Sequence, residues 1–456
     1  LGIPHTSGYP LYTWLGKLFA SLPIGGIPFR INLMSAVFAS VAVMLLFHIA
    51  ANEMRDRIGR HGVLTYAPAA LCVVLLATAD HFYRAAVVAE VYTLKCLFIA
   101  LVLYLFIKYL KSSSAGHLYA TSLAVGLGAG AHMSILLLVP FIVVLAARRV
   151  RNLKTVLVSA AMLCIGLSQY FYLYLRALTN PVYHHPQARF FETMEWTGTD
   201  NALYNWIWFI TGAKWHNQYV ESIGALIWKF GQLLNEVAKN SLLVGLALVA
   251  LGIFLYFRSA DRTQRERGFL FLFVLVSEAI WFCSYRHSVK GMALPFFMTA
   301  SLMIGLSFGL TAILIRPRLR SERSRRLLPY VLVAVLSLYG TAVLLTKRLP
   351  DLARERNSAA FVTSMIEQLP ARSTVDGLGW ELDRVVLYFG IVEGMIIPFE
   401  MSECSDDVIS EGRCFALGDA EQEYRRRGHR LIPYLRGEGM PTLYRIQAGD
   451  DERPAY

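Results

Sequence analysis

Nine stretches of roughly 17 or more apolar-dominated residues run through this chain, around residues 31–51, 63–79, 85–107, 118–147, 155–177, 240–257, 268–285, 291–315 and 327–346. A hydrocarbon core about 30 Å thick takes about 20 such residues per helix, so each stretch is a candidate membrane span. The stretch 118–147 contains Ala131-His132-Met133-Ser134 and then Pro140, which reads as two short helices meeting at a break. Ten membrane helices are expected, six of them before residue 178. With 55% hydrophobic and 17% charged residues and a mean hydropathy of +0.46, the chain is too apolar for a soluble globule, where about a quarter of residues are charged.

The net charge of +12 is sorted by loop rather than spread as a nucleic-acid footprint. Alternate loops on one side hold Arg55, Arg57 and Arg60; Lys108 and Lys111; Arg148, Arg149, Arg151 and Lys154; Arg258 to Arg267; and the run from Arg316 to Arg326. The short loops of the other side hold only Arg84, Arg286 and Lys290. The positive-inside rule makes the first set cytoplasmic, where it also meets anionic lipid. The segment around His5, the Asp80–Arg84 neighbourhood, the loop 178–239 and the tail after 347 are then outside.

Three parts follow: an outer lead-in over 1–30, a membrane region over 31–346 that includes the outer loop 178–239, and an extracytoplasmic tail over 347–456. Aromatic, amphipathic runs at 205–210 and 223–228 suit helices lying in the membrane interface. The tail alternates helical patterns near 351–369, 381–391 and 420–427 with strands near 394–400, 414–418, 430–435 and 442–447, which predicts a small α/β domain. Cys404 and Cys414 lie in this tail, and an oxidising compartment allows them to pair, although spacing alone leaves the bond open. Asp376, Glu381 and Asp383 cluster there as either a solvated surface or an acidic set.

The lead-in His5-Thr6-Ser7-Gly8-Tyr9-Pro10-Leu11-Tyr12 is an irregular turn that cannot sit in lipid with unpaired backbone, so it belongs at the rim of the bundle. Leu1 is not an initiator methionine, and natural residues are expected before it. Glu90 is expected one to two turns inside the outer end of an apolar helix, where a carboxylate needs a cavity or a partner. Lys95 and Arg84 are near it in sequence but off its helical face. Asp80 stands where a helix N-cap is expected, or pairs with Arg84. Arg176 ends a tyrosine-rich helix as either a phosphate fork or an interfacial anchor. His132 and Glu278 are either hydrogen-bonded core groups or functional ones. His184, His185 and His216 form no metal-ligand spacing.

In order along the chain, the His5–Tyr12 segment, Asn32-Leu33-Met34-Ser35-Ala36, Ala86-Val87-Val88-Ala89-Glu90-Val91-Tyr92-Thr93-Leu94, Gly128-Ala129-Gly130-Ala131-His132 and Tyr174-Leu175-Arg176-Ala177-Leu178-Thr179-Asn180-Pro181 resemble one family. It is the bacterial multispan family related to transmembrane protein O-mannosyltransferases, in the GT-C superfamily. The likeness runs to about residue 215, with a looser echo from Tyr285 to Pro295.

The resemblance implies a GT-C-like all-α polytopic bundle in a bacterial inner membrane. It also implies a polyprenyl-phosphate sugar donor and inverting transfer on the outer face to a protein or glycan hydroxyl. In this reading Glu90 and His5 are catalytic, Arg176 and Arg84 bind the donor phosphate, and Tyr9, Tyr92, Tyr174, Asn180 and His132 line the substrate site. An acidic Asp-x-Gly-Glu motif just before the His5 segment is the implied base, and a divalent metal stays open. Thr6-Ser7 and Tyr183-His184-His185-Pro186-Gln187 depart from the family pattern, which leaves altered specificity or lost catalysis as readings. The alternative class is a non-catalytic membrane scaffold or complex subunit; a transporter would need inverted repeats, which the sequence lacks.

Overall fold

The computed structural model describes residues 7–59, 62–178, 201–213, 219–220, 222–286, 290–347, 356–378, 382, 385–386, 389–390, 395–437 and 440–447. His5, Asn180, His184, His185, His216, Glu381, Asp383 and most of the expected helix 381–391 lie outside them. Contacts divide the chain into two units, Leu1–Leu349 and Pro350–Tyr456.

The first unit is a helical bundle and the chain is a multi-pass membrane protein. Its helices are α1 (Pro10–Ala20), α2 (Ile27–Ile58), α3 (Val63–Ala77), α4 (Asp80–Val87), α5 (Tyr92–Ser112), α6 (Ala115–Ala129), α7 (Val139–Ala147, entered by a 3₁₀ turn Met133–Leu138), α8 (Leu153–Leu167), α9 (Phe171–Leu178), α10 (Ala202–Ile210), α11 (Ile223–Phe257), α12 (Arg262–Ser284), α13 (Leu294–Ile315) and α14 (Glu322–Leu345). Every expected span overlaps a helix, although 85–107 is interrupted between Val87 and Tyr92. Among the described residues, however, only seven are long and apolar enough to cross alone, or eight if α3 and α4, bent by 69°, count as one. The shortfall from ten has a plain cause: α3 and α6, at 15 residues each, reach only about 22 Å. Met133–Ala147 is likewise classed with the shorter apolar helices.

Glu90 is not inside a helix. Val88 leaves the helical region at φ −119°, ψ 149°, and α5 starts only at Tyr92. Ending α4 before Glu90 keeps its carboxylate out of a lipid-spanning segment, where it would be costly. Asp80 is the first residue of α4 rather than its cap, and it pairs with Lys347 at 3.7 Å rather than with Arg84. In α11, Leu242 breaks the helix with φ 61°. Before the break the helix buries Lys229, Leu233 and Val237 and exposes Ile223, Ile227 and Trp228.

The bundle core runs through α2, α5, α12 and α13, with Ala42, Leu46, Ala100, Leu103, Phe271 and Met303 fully enclosed. At its basic end a charge network ties the helices together. Arg267 donates to Glu53 at 2.5 Å and to Asp56 at 3.0 Å. Tyr256 and Arg57 also donate to Glu53, Lys111 pairs with Asp56, and Arg149 pairs with Glu266. Buried charges of this kind are tolerable only when each has a partner.

The second unit is a five-stranded mixed sheet of order β2-β1-β3-β5-β4, where β1 is Ser373–Asp376, β2 Phe399–Met401, β3 Cys414–Ala416, β4 Arg430–Leu435 and β5 Leu443–Gln447. β1 is parallel to β2 and β3, whereas β3, β5 and β4 are antiparallel. Helices α15 (Arg356–Gln368), α16 (Asp406–Ser410) and α17 (Gly418–Arg426) accompany it. Asp376 accepts a hydrogen bond from Tyr424 at 3.0 Å, a structural role.

Cys404 and Cys414 form a disulfide across a Cα–Cα distance of 5.9 Å. Closing so short a loop is worth about 2–3 kcal/mol by chain entropy. Dithiothreitol should therefore lower the melting temperature of this unit in the full chain and leave a Cys404→Ser/Cys414→Ser variant unmoved; equal melting with and without reductant would contradict the bond.

Candidate active site

The lead-in is positioned by its backbone. Gly8 has φ +87°, and a Cβ there would collide with Leu173, so only glycine lets the chain lie against α9. Tyr9 follows in the left-handed region at φ 40°, uncommon for a bulky residue, and Pro10 starts α1. The Leu11 N–H donates to Gly130 O at 3.2 Å, which sets the lead-in over the break between α6 and α7.

At that break His132 is buried, and the Ser134 N–H donates to its Nδ1 at 3.3 Å. With Nδ1 accepting, the ring proton belongs on Nε2. Three aromatic rings surround the imidazole: Tyr9 at 6.2 Å, Tyr92 at 6.0 Å and Trp281 edge-on at 5.6 Å. Trp281 continues to Tyr285 at 5.2 Å, and Tyr285 to Tyr219 at 5.1 Å.

Glu90 joins this cluster through its backbone and its charge. Its N–H donates to Ser35 Oγ of α2 at 3.3 Å. Its carboxyl keeps accessible surface although protein atoms crowd it, and this burial pushes its pKa above the ordinary value, partly opposed by the Val91 N–H. Burial first, and the Glu90 charge second, push the Tyr9 phenol up. For Tyr12 burial again leads and Glu90 adds to it. A carboxyl near Tyr9 and Tyr12, with an imidazole ringed by aromatic side chains, suits a sugar, whose apolar faces stack on rings while its hydroxyls need acceptors and donors.

Beneath the cluster lies a pair that sequence spacing did not connect. Lys95 Nζ donates to Glu278 Oε2 at 2.6 Å and to Met292 O at 3.2 Å, with both side chains fully enclosed. The second bond holds the 3₁₀ turn Lys290–Ala293, where Gly291 lies so close to the Tyr92 ring that a Cβ would overlap it. Lys95, on α5 one turn from Tyr92, thus fixes two walls of the site at once.

Of the residues singled out from sequence, Tyr9, Glu90, Tyr92 and His132 come together. Arg84 sits exposed on α4, and Arg176 lies on α9 one turn beyond Tyr172, whose ring meets Trp14 of α1 at 5.3 Å. Tyr174 packs on Trp206 at 6.0 Å. Trp281 and Lys95 were missed as site residues, although a tryptophan three residues after Glu278 in an apolar span was a usable signal. The Trp281 Nε1 is buried without a hydrogen-bond partner. Among the described residues no group of three His, Cys, Asp or Glu is placed to hold a metal ion.

Residues 1–156 match the family model of the protein O-mannosyl-transferase TMEM260 N-terminal domain. Mouse protein O-mannosyl-transferase TMEM260 is 29% identical over 116 residues, which is 25% of this chain and 15% of that protein. In three dimensions ArnT from Cupriavidus metallidurans, solved with undecaprenyl phosphate, superposes with a TM-score of 0.53 at 13% identity over 95% of this chain and 87% of its own. The chain shares the fold of ArnT, and its first third is similar to the TMEM260 N-terminal domain. The Archaeoglobus fulgidus oligosaccharyltransferase in its apo form aligns at a TM-score of 0.48 and 11% identity, over 92% of this chain and 62% of its own. Tyr9, Glu90, Tyr92 and His132 fall within the matched residues 1–156, whereas Trp281, Tyr285 and Tyr219 lie beyond them.

Proposed function

We propose that this chain is a membrane glycosyltransferase that moves a sugar from a polyprenyl-phosphate donor to an acceptor hydroxyl on the extracytoplasmic face of a bacterial inner membrane. The observation that carries the reading is the meeting of Tyr9, Tyr92 and Trp281 around His132, with the Glu90 carboxyl near enough to act on Tyr9. The superposed ArnT, solved with undecaprenyl phosphate, supports the donor class. The disulfide of the second unit supports an oxidising side for the tail, in agreement with the arginine-rich start of α14.

In the transfer, the acceptor oxygen bonds to the anomeric carbon while the bond from that carbon to the phosphate oxygen breaks. The electron pair leaves with the phosphate, and the acceptor loses its proton to a carboxylate or water. Charge builds on the departing phosphate, so Arg176 and Arg84 on the flanking helices stabilise the transition state more than the ground state. Glu90, with His5, accepts hydrogen bonds from sugar or acceptor hydroxyls. Tyr9, Tyr92, Tyr174, Asn180 and His132 hold the sugar and the lipid-proximal phosphate.

The test is consumption of a radiolabelled polyprenyl-phosphate hexose by the reconstituted protein in the presence of periplasmic acceptor extract, run beside Trp281→Phe. The variant keeps the ring and removes an N–H that has no partner to lose, so its stability should not fall. Its kcat/KM should drop about tenfold, the worth of one hydrogen bond to the sugar. Failure of the unaltered protein to consume any such donor would overturn the function, whereas full activity in Trp281→Phe would remove only this residue from the site.

A further inference from the structure

An apolar hollow in the first unit lies away from the active site. It is a groove of about 260 Å³ between α6, α7 and α8, lined by Leu118, Val125, Ile142, Val156 and Leu163 with Ser159 among them. It faces outward, with the lining residues Val143 and Val156 exposed by half or more of their surface. α6 and α7 are shorter than a full span, which leaves a dent in the lipid-facing wall. The lining runs along the whole of α7, the first two-thirds of α6 and the middle of α8, and reaches Val150 in the basic loop between α7 and α8. At that end Arg148, Arg151 and Lys154 are exposed, each within two residues of a groove-lining position.

We propose that this groove is a binding site for an anionic diacyl phospholipid of the cytoplasmic leaflet. One acyl chain fills the apolar trough and the headgroup phosphate meets Arg148, Arg151 and Lys154. Ser159 supplies the selectivity. Its Oγ is buried without a hydrogen-bond partner, in a region where no bulk water can satisfy it. It stands about 7.5 Å along α8 from Lys154, below the basic rim. A glycerophospholipid places its ester carbonyls below its phosphate in the same order, so the hydroxyl donates to an ester oxygen. A polyprenyl phosphate has the charge but no ester.

The experiment is native mass spectrometry and thermal melting of the delipidated full chain with phosphatidylglycerol, phosphatidylcholine or a polyprenyl phosphate. Phosphatidylglycerol should be retained and raise the melting temperature more than the other two. Arg148→Gln/Arg151→Gln/Lys154→Gln should weaken it about a hundredfold, each charge near the surface contributing about a factor of five. Ser159→Ala should erase the preference for phosphatidylglycerol over the polyprenyl phosphate, and Ala160→Trp should block every lipid at the groove. Equal retention of phosphatidylcholine, an unaltered triple variant or displacement by the polyprenyl phosphate would each overturn the proposal. Should Ala160→Trp not fold, the surface-only triple variant still decides.

Discussion

Glu90→Gln is expected to lower kcat/KM for sugar transfer by about 10²–10⁴, the range for losing a group that handles hydroxyl protons or their hydrogen bonds in the transition state. The same substitution should leave the protein at least as stable at neutral pH. Burial raises the carboxyl pKa above its ordinary value of 4.5 in the folded chain, so folding favours the neutral form. The contribution of Glu90 to stability is fully present below the unfolded pKa and is lost as pH rises through the higher folded value. A glutamine, neutral throughout, avoids that loss. Activity that needs the carboxylate should accordingly show an acid limb above pH 4.5, with Glu90→Asp displacing the limb and Glu90→Gln abolishing it. Wild-type turnover in Glu90→Gln, measured with donor in excess, would remove Glu90 from the chemistry.

Lys95→Met should destabilise the bundle by about 3–5 kcal/mol, because it strands Glu278 as a buried charge. Lys95→Met/Glu278→Leu should recover most of that loss, since an apolar pair of similar volume fills the space without ions. Recovery of fold should not bring recovery of function. The Lys95 bond to Met292 O also fixes the turn against Tyr92, so the refolded double variant should retain donor binding and lose kcat. Denaturant titration in detergent reads the first effect and a kcat against KM separation the second. A double variant with normal kcat would make the pair structural only.

Much of the bundle was legible because apolar run length is a local property. The apolar helices, the break at His132 and the helical runs at 205–210 and 223–228, the second of which opens the long α11, could be read residue by residue. The end of α4 before Glu90 could not, since nothing in Ala86-Val87-Val88-Ala89 is a helix breaker and tertiary cost decided it. The Lys95–Glu278 pair joins residues 183 apart, beyond any rule based on helical spacing. In the tail, β1 has only four residues, Ser-Thr-Val-Asp, too short and polar for a periodic signal although it is central to the sheet. Trp281 and Tyr285 entered the site from the far end of the sequence because α12 packs on α5.

The charge network at the basic end also constrains biogenesis. Glu53 on α2 meets Arg267 only after 214 further residues have been synthesised. Until α12 arrives, Glu53 has Arg57 of its own helix as its partner and needs water for its other oxygen. The arrival of Arg267 and Tyr256 therefore completes the partner set of Glu53 and ties an early helix to late ones.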